Sequence, residues 1–155
     1  MPILAEAHPV AALVLWIFLG AAAVMNLFTN RIDNQFALLL VGGGIVAAVI
    51  AGRTDELWLN AAIGVGMLVL TAILFAMKAM GGGAAKLLPA TAFLIGWEAL
   101  LPFVITTLIA GGVLAVVAIL WHRMAGAKDN DARVSFGPAI LAGALYAVLF
   151  QGGMG

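Results

Sequence analysis

Cysteine is absent from the chain, and charged residues make up only 9% of it. The lack of cysteine excludes a disulfide framework, a thiol nucleophile and any cysteine-ligated metal site. Because soluble domains carry roughly 25% charged residues, the shortage of charge excludes an ordinary soluble domain. Seven basic and seven acidic side chains give a formal net charge of zero, so no nucleic-acid partner is predicted.

Long apolar runs, by contrast, recur along the whole chain. Hydrophobic residues make up 65% of the sequence, and the mean hydropathy is +1.19. This pattern predicts an all-α, polytopic membrane protein with six transmembrane helices in a lipid bilayer. The predicted spans cover residues 10–25, 36–51, 57–76, 87–100, 103–121 and 134–150. The fourth run is short for a bilayer core of about 30 Å, so it can cross only if the glycines before it lie at membrane depth among neighbouring helices.

The basic residues of the connecting segments predict how these spans are oriented. Six of the seven Lys and Arg residues fall in the first, third and fifth segments: Arg31, Lys78, Lys86, Arg123, Lys128 and Arg133. Positive charge is retained in the cytoplasm, so both the N- and C-termini are predicted outside. The first ten residues contain no Lys or Arg, so we expect the first span to be retained and not cleaved as a signal peptide. No segment is long enough for a second domain, and residues 1–155 are predicted as a single integral-membrane domain.

Ionisable groups inside a bilayer are the usual sign of a functional site, and none is predicted at the centre of a span here. All seven acidic residues map to connecting segments or span ends, which argues against a proton-coupled transporter. His8 and His122 stand apart, without the spacing of a metal motif, so no metal site is predicted.

Two polar stretches interrupt the apolar runs. One is KAMGGGAAKLLPA, residues 78–90, in which three glycines lie between two lysines. It is not a phosphate loop, because that motif needs glycine before the lysine and Ser or Thr after it, whereas Ala85 and Leu87 flank Lys86. A flexible loop or close helix packing is the simplest interpretation of its glycines.

The other stretch is MNLFTNRIDN, residues 25–34, which joins the first two predicted spans. Taken alone, Asn26 is best interpreted as a helix-capping or turn residue.

Glycine also recurs within the predicted spans, where it allows helices to pack closely. We expect this packing role at Gly42, Gly43, Gly44, Gly111 and Gly112.

Together the two polar stretches resemble the motifs of the type IV prepilin peptidases, polytopic aspartic proteases of the GxGD type. The likeness is closest to the small, single-domain members that serve Flp/Tad-type pili. In that family a first catalytic aspartate ends the first helix, and a basic loop with an Ile-Pro-Asn-like tripeptide follows. NLFTNRIDN keeps this spacing from position 26, with Asp33 where proline is frequent.

The second family motif is Gly-x-Gly-Asp, followed by one residue, lysine and leucine. GGGAAKLL matches it at Gly81, Gly83, Lys86 and Leu87. VSFGPAILAGAL, residues 134–145, resembles the proline-containing start of the family's last helix.

The chain departs from the family at both catalytic positions, which are occupied by Asn26 and Ala84. Aspartic proteolysis needs two nearby carboxylates that share one proton, and neither an amide nor a methyl group exchanges a proton in the useful range. The chain as written is therefore predicted to be inactive. Because Asn is close in shape to Asp and Ala is a minimal replacement, we favour engineered inactivation. The alternatives are a natural pseudoprotease that binds prepilin without cutting it, or a small membrane transporter component.

The resemblance also implies the substrate and the location. The substrate is a prepilin or pseudopilin, whose basic leader is cleaved at the cytoplasmic face of a bacterial or archaeal inner membrane. Gly81, Gly82 and Gly83 are expected to shape the site, because glycine allows close backbone approach and tolerates positive φ. Lys86 is expected either to lower the pKa of a neighbouring carboxylate or contact a lipid phosphate, or to serve only as a cationic anchor at the membrane surface. No cofactor, zinc or methyltransferase activity is predicted.

Overall fold

The protein is a bundle of six α-helices in a computed structural model that describes residues 3, 9–29, 34–52, 54–55, 57–77, 80–124 and 136–152. The helices are α1 (Pro9–Thr29), α2 (Asn34–Ile50), α3 (Leu57–Ala76), α4 (Gly82–Ile95), α5 (Leu100–Met124) and α6 (Gly137–Gly152). The described residues form six helices in the order of the six apolar runs. The predicted bounds of the third run are correct to the residue.

The predicted bounds of the fourth run are wrong at both ends. Helix α4 begins at Gly82 and ends at Ile95, whereas the apolar run had been placed at residues 87–100. Gly96 ends the helix with a φ of 73°, a conformation that favours glycine, and its N–H donates to the carbonyl of Ala92 at 3.0 Å. Hydropathy averaged along the sequence does not detect such a turn, because the residues around it are also apolar.

Helix α4 lies at the centre of the bundle and packs against all five other helices. From Gly83 to Ile95 every residue is buried except Lys86. At a rise of 1.5 Å per residue its 14 residues span about 21 Å, less than the bilayer core of about 30 Å. The short run therefore belongs to a helix enclosed by its neighbours, which is the condition under which non-spanning or irregular backbone is tolerated at membrane depth.

Contacts between helices define the two ends of the bundle. Gly64 of α3 lies against Phe93 of α4, and Thr71 of α3 donates to the carbonyl of Ala85, so α3 and α4 run in opposite directions. Only residues 51–56 join α2 to α3, which holds the C-terminal end of α2 near the start of α3, and Gly44 of α2 lies against Leu94 near the C-terminal end of α4. Helices α2 and α4 therefore run in the same direction.

The N-terminal ends of α2 and α4 therefore lie together with the C-terminal end of α1. The start of α6 is at the same end, because Gly137 lies against Asn26. We call this the α4 N-terminal end.

The surface of the bundle is apolar, and several polar residues are inside it. Large hydrophobic side chains such as Leu13, Leu70 and Leu108 are at least half exposed, whereas the buried polar residues are Asn26, Asn60, Thr71, Thr91 and Thr107. This distribution suits a lipid environment. Among the described residues, three helices contain stretches long and apolar enough to cross a membrane: Pro9–Asn26, Leu57–Ala76 and Leu100–Ala118.

The expected packing role of the glycines is confirmed at three of the five positions. Gly43 lies against Leu15, Gly44 against Leu94, and Gly111 against the ring of Phe136. It is wrong at Gly42 and Gly112, since a side chain added to either would meet open space.

Candidate functional site

Asn26 lies within α1, three residues before the helix ends at Thr29. Its side chain is only 2% exposed, and its Nδ2 has no hydrogen-bond partner among the described residues. The capping or turn role suggested by the sequence is therefore wrong, because a capping residue flanks a helix instead of lying in its buried face. A buried amide donor without a partner is uncommon and costs about 1–3 kcal/mol.

The start of α6 is pressed against Asn26. A Cβ added at Gly137 would lie 2.9 Å from the Cβ of Asn26, 3.0 Å from its Nδ2 and 2.7 Å from the carbonyl oxygen of Ala23. Only glycine fits this close approach. Pro138 follows in the first turn of α6, where its missing N–H has no cost. A helix N-terminus carries partial positive charge, so Asn26 lies in a position that favours an anion or a carbonyl oxygen.

Ala84 lies in the first turn of α4, with 2% of its surface exposed, and belongs to the apolar core. Because the α4 N-terminal end also holds the last turns of α1, the structure brings Asn26 and Ala84 to the same end of the bundle. The surroundings of the two positions differ. Asn26 faces a helix N-terminus, whereas Ala84 belongs to the hydrophobic core cluster.

The three glycines before Ala84 do not form a loop. Gly82 and Gly83 belong to the first turn of α4, and Gly81 precedes it with a φ of −72°. Positive φ is found, among the described glycines, at Gly52 and Gly96. The expected use of positive φ is thus not seen at Gly81. Gly82 instead permits close packing, since a Cβ there would lie 3.3 Å from the ring of Phe75.

Lys86 is exposed although its helix is otherwise buried from Gly83 onward. This exposure is compatible with both expected roles, and the choice between them stays a prediction. Arg31 and Asp33, which form part of the first family motif, lie outside the described residues.

A hydrogen bond next to Ala84 was not anticipated from the sequence. The hydroxyl of Thr71 donates to the carbonyl oxygen of Ala85, with an Oγ1–O distance of 2.9 Å. Pro89, four residues after Ala85 in α4, has no N–H to donate to that carbonyl. The signal was present in the sequence, since a proline inside an apolar run predicts an unsatisfied carbonyl four residues earlier. What the sequence did not indicate is which helix supplies the donor.

Comparison with known families agrees with the motifs. The sequence profile of the type IV leader peptidase family matches residues 13–116, which is more than half of the chain and includes both Asn26 and Ala84. Comparisons with curated proteins and with solved structures gave no significant match. Members of this family are peptidases, generally of the aspartic type. On this match, the chain belongs to the type IV leader peptidase family.

Proposed function

We propose that this chain is the scaffold of a prepilin leader peptidase whose two catalytic carboxylates have been replaced at Asn26 and Ala84. One observation carries the proposal: both positions are buried at the same end of the bundle, on helices covered by the family match. The proposal includes the topology predicted from the sequence: six spans, both termini outside and residues 1–155 as one domain. The α4 N-terminal end then faces the cytoplasm of a bacterial or archaeal inner membrane, where the basic leader of a prepilin or pseudopilin would be bound.

In an active form, aspartates at positions 26 and 84 would share one proton. The ionised carboxylate takes a proton from water, and the resulting hydroxide attacks the scissile carbonyl carbon. The protonated carboxyl donates to the carbonyl oxygen. Collapse of the tetrahedral intermediate breaks the C–N bond, and the leaving amine receives a proton from the site. Neither Asn26 nor Ala84 supplies a proton or accepts one in this sequence, so the chain as it stands is proposed to leave peptide bonds intact.

The different surroundings of the two positions favour a division of roles. The N-terminus of α6 lies against Asn26 and would stabilise negative charge there, so an aspartate at position 26 is proposed as the base. The apolar core around Ala84 disfavours a charge, so an aspartate at position 84 is proposed to hold the shared proton.

The test is to restore both carboxylates by the double substitution Asn26→Asp with Ala84→Asp. In membranes this variant should cleave a cognate prepilin at the leader junction, while the unaltered chain should not. The matched control is Asn26→Asp with Ala84→Asn, which adds a side chain of nearly the same size without the second acid, and it should be inactive. A double-aspartate variant that is folded and inserted but leaves the prepilin intact would show that the peptidase proposal is wrong.

A non-catalytic role in prepilin binding is the second candidate. It is favoured by the apolar packing around Ala84, which suits the alanine that is present. This candidate predicts that the unaltered chain supports piliation when it replaces the native gene, whereas an inactivated peptidase would not. Reading codons 26 and 84 of the native gene then tests the origin of the two residues: Asp codons support engineered inactivation, and Asn and Ala codons refute it.

A further inference from the structure

Pro89 leaves one backbone carbonyl of the central helix α4 without its usual hydrogen-bond donor. In an α-helix the carbonyl of residue 85 accepts a hydrogen bond from the N–H of residue 89, and proline has no N–H. Ala85 is buried at 8% exposure. Water therefore does not readily satisfy its carbonyl, and leaving such a group unpaired costs about 1–3 kcal/mol.

Thr71 of α3 donates a hydrogen bond to this carbonyl from outside α4. Its Oγ1 lies 2.9 Å from the carbonyl oxygen of Ala85 and 3.2 Å from that of Leu68 in its own helix. A hydroxyl has one hydrogen to donate, and the shorter distance favours Ala85. Thr71 is itself only 1% exposed, so the bond lies in a dry environment where it is strong.

The bond holds the part of α4 that carries position 84. Ala85 follows Ala84 directly, and both lie in the first turns of the helix. Gly81, which precedes α4, has no side chain with which to cap that turn. The bond from Thr71 joins the turn to α3, and the N–H of Ala85 donates to the carbonyl of Gly81 at 3.1 Å.

We infer that Thr71 is a positioning residue for the site: by binding the carbonyl that Pro89 leaves open, it fixes the backbone that carries residue 84. This inference rests on the proposed function, because it treats position 84 as the place of a reacting carboxylate. Thr71 does not touch the reacting atoms. It acts through the orientation of the first turns of α4.

The experiment uses the Asn26→Asp, Ala84→Asp background and the isosteric substitution Thr71→Val. Small misplacements of a reacting group lower the rate strongly, so we expect kcat to fall by about 10- to 100-fold while KM stays within about twofold. Thr71→Ser, which keeps the hydroxyl, should retain most of kcat. The matched control is Thr107→Val: Thr107 is also buried, but its Oγ1 has no hydrogen-bond partner among the described residues, so its kcat should change little.

A second substitution isolates the role of the proline. Pro89→Ala supplies the missing N–H, so in this background Thr71→Val should no longer reduce kcat. Equal losses with Pro89 and with alanine at position 89 would overturn the inference, as would a kcat unchanged by Thr71→Val. If the double-aspartate variant with Thr71 intact is itself inactive, the proposed function fails before the inference is reached.

A readout without catalysis tests the same inference in the chain as it stands. Because the chain has no cysteine, Ala84→Cys introduces a single thiol whose reaction with a maleimide in membranes reports the exposure of position 84. We expect Thr71→Val to raise the labelling rate and Pro89→Ala to return it. A labelling rate that does not respond to Thr71→Val would contradict the positioning role.

Discussion

Helices α3 and α4 are close partners in the bundle, yet they are buried in opposite ways. In α3, 20 residues of high hydropathy leave most side chains facing outward, and its buried residues are Asn60 and Thr71. In α4, 14 residues are buried almost throughout, and the exception after Gly82 is the charged Lys86. The helix that is longer and more apolar is the one exposed to lipid, whereas the shorter helix forms the core.

The difference shows what drives burial in this protein. In water, apolar residues would be driven inward, but lipid is as apolar as a leucine side chain and gives no such preference. Burial then follows close packing and hydrogen bonding between helices. That is why α3 turns Thr71 toward the carbonyl of Ala85, and why Gly44 and Gly64 of neighbouring helices lie against α4 at Leu94 and Phe93.

The largest effect is expected from a substitution in the buried helix α4. Leu94→Ala removes a fully buried α4 side chain that packs on Gly44, and should lower the free energy of unfolding by about 2–5 kcal/mol. Leu70→Ala, the matched change on the half-exposed face of α3, should lower it by less than about 0.5 kcal/mol. Reversible unfolding in micelles measures both. Equal losses would mean that α3 and α4 are not buried differently.

A smaller effect is expected from two glycines two residues apart in α2. A methyl group at Gly44 would clash with Leu94, while at Gly42 it would meet open space. Gly44→Ala should therefore destabilise the bundle by about 1–3 kcal/mol, whereas Gly42→Ala should be neutral or stabilise the helix by up to about 1 kcal/mol. The same unfolding measurement applies. A destabilising Gly42→Ala would show that this face of α2 is also packed.

The smallest effect is expected at the one charged residue of α4. Lys86 is exposed, and interactions of exposed charges are worth about 0–1 kcal/mol. Lys86→Gln should therefore change the free energy of unfolding by less than about 1 kcal/mol, in contrast to Leu94→Ala in the same helix. A loss as large as that of Leu94→Ala would mean that Lys86 has a structural role in the core.

Most of the helical framework could be predicted from the sequence, and the reasons are local. Residues 57–76 form a long apolar run, interrupted at Asn60 and Thr71, between the charged residues Glu56 and Lys78, and α3 has the predicted bounds. The bounds of α4 were missed because Gly82 and Gly83 join the helix, while Gly96 ends it by a positive φ that apolar composition does not indicate.

At the candidate site, too, some features could be predicted from the sequence and others could not. The resemblance to the two family motifs identified Asn26 and Ala84 as the positions to compare. The close approach of Gly137 to Asn26 and the bond from Thr71 to Ala85 could not be predicted, because both join residues from different helices.

The sequence by itself determined the helical class and the lipid environment that suits its composition, and the likeness of its motifs to a known family indicated the family and the lack of an acid at positions 26 and 84. These properties depend on composition and on spacing along one chain. Only the tertiary structure decided that α4 is the core, that α6 begins against Asn26 and that Thr71 satisfies the carbonyl left open by Pro89. The physical reason is that six helices of similar hydropathy have no preferred neighbours until side chains and backbone groups from different helices meet.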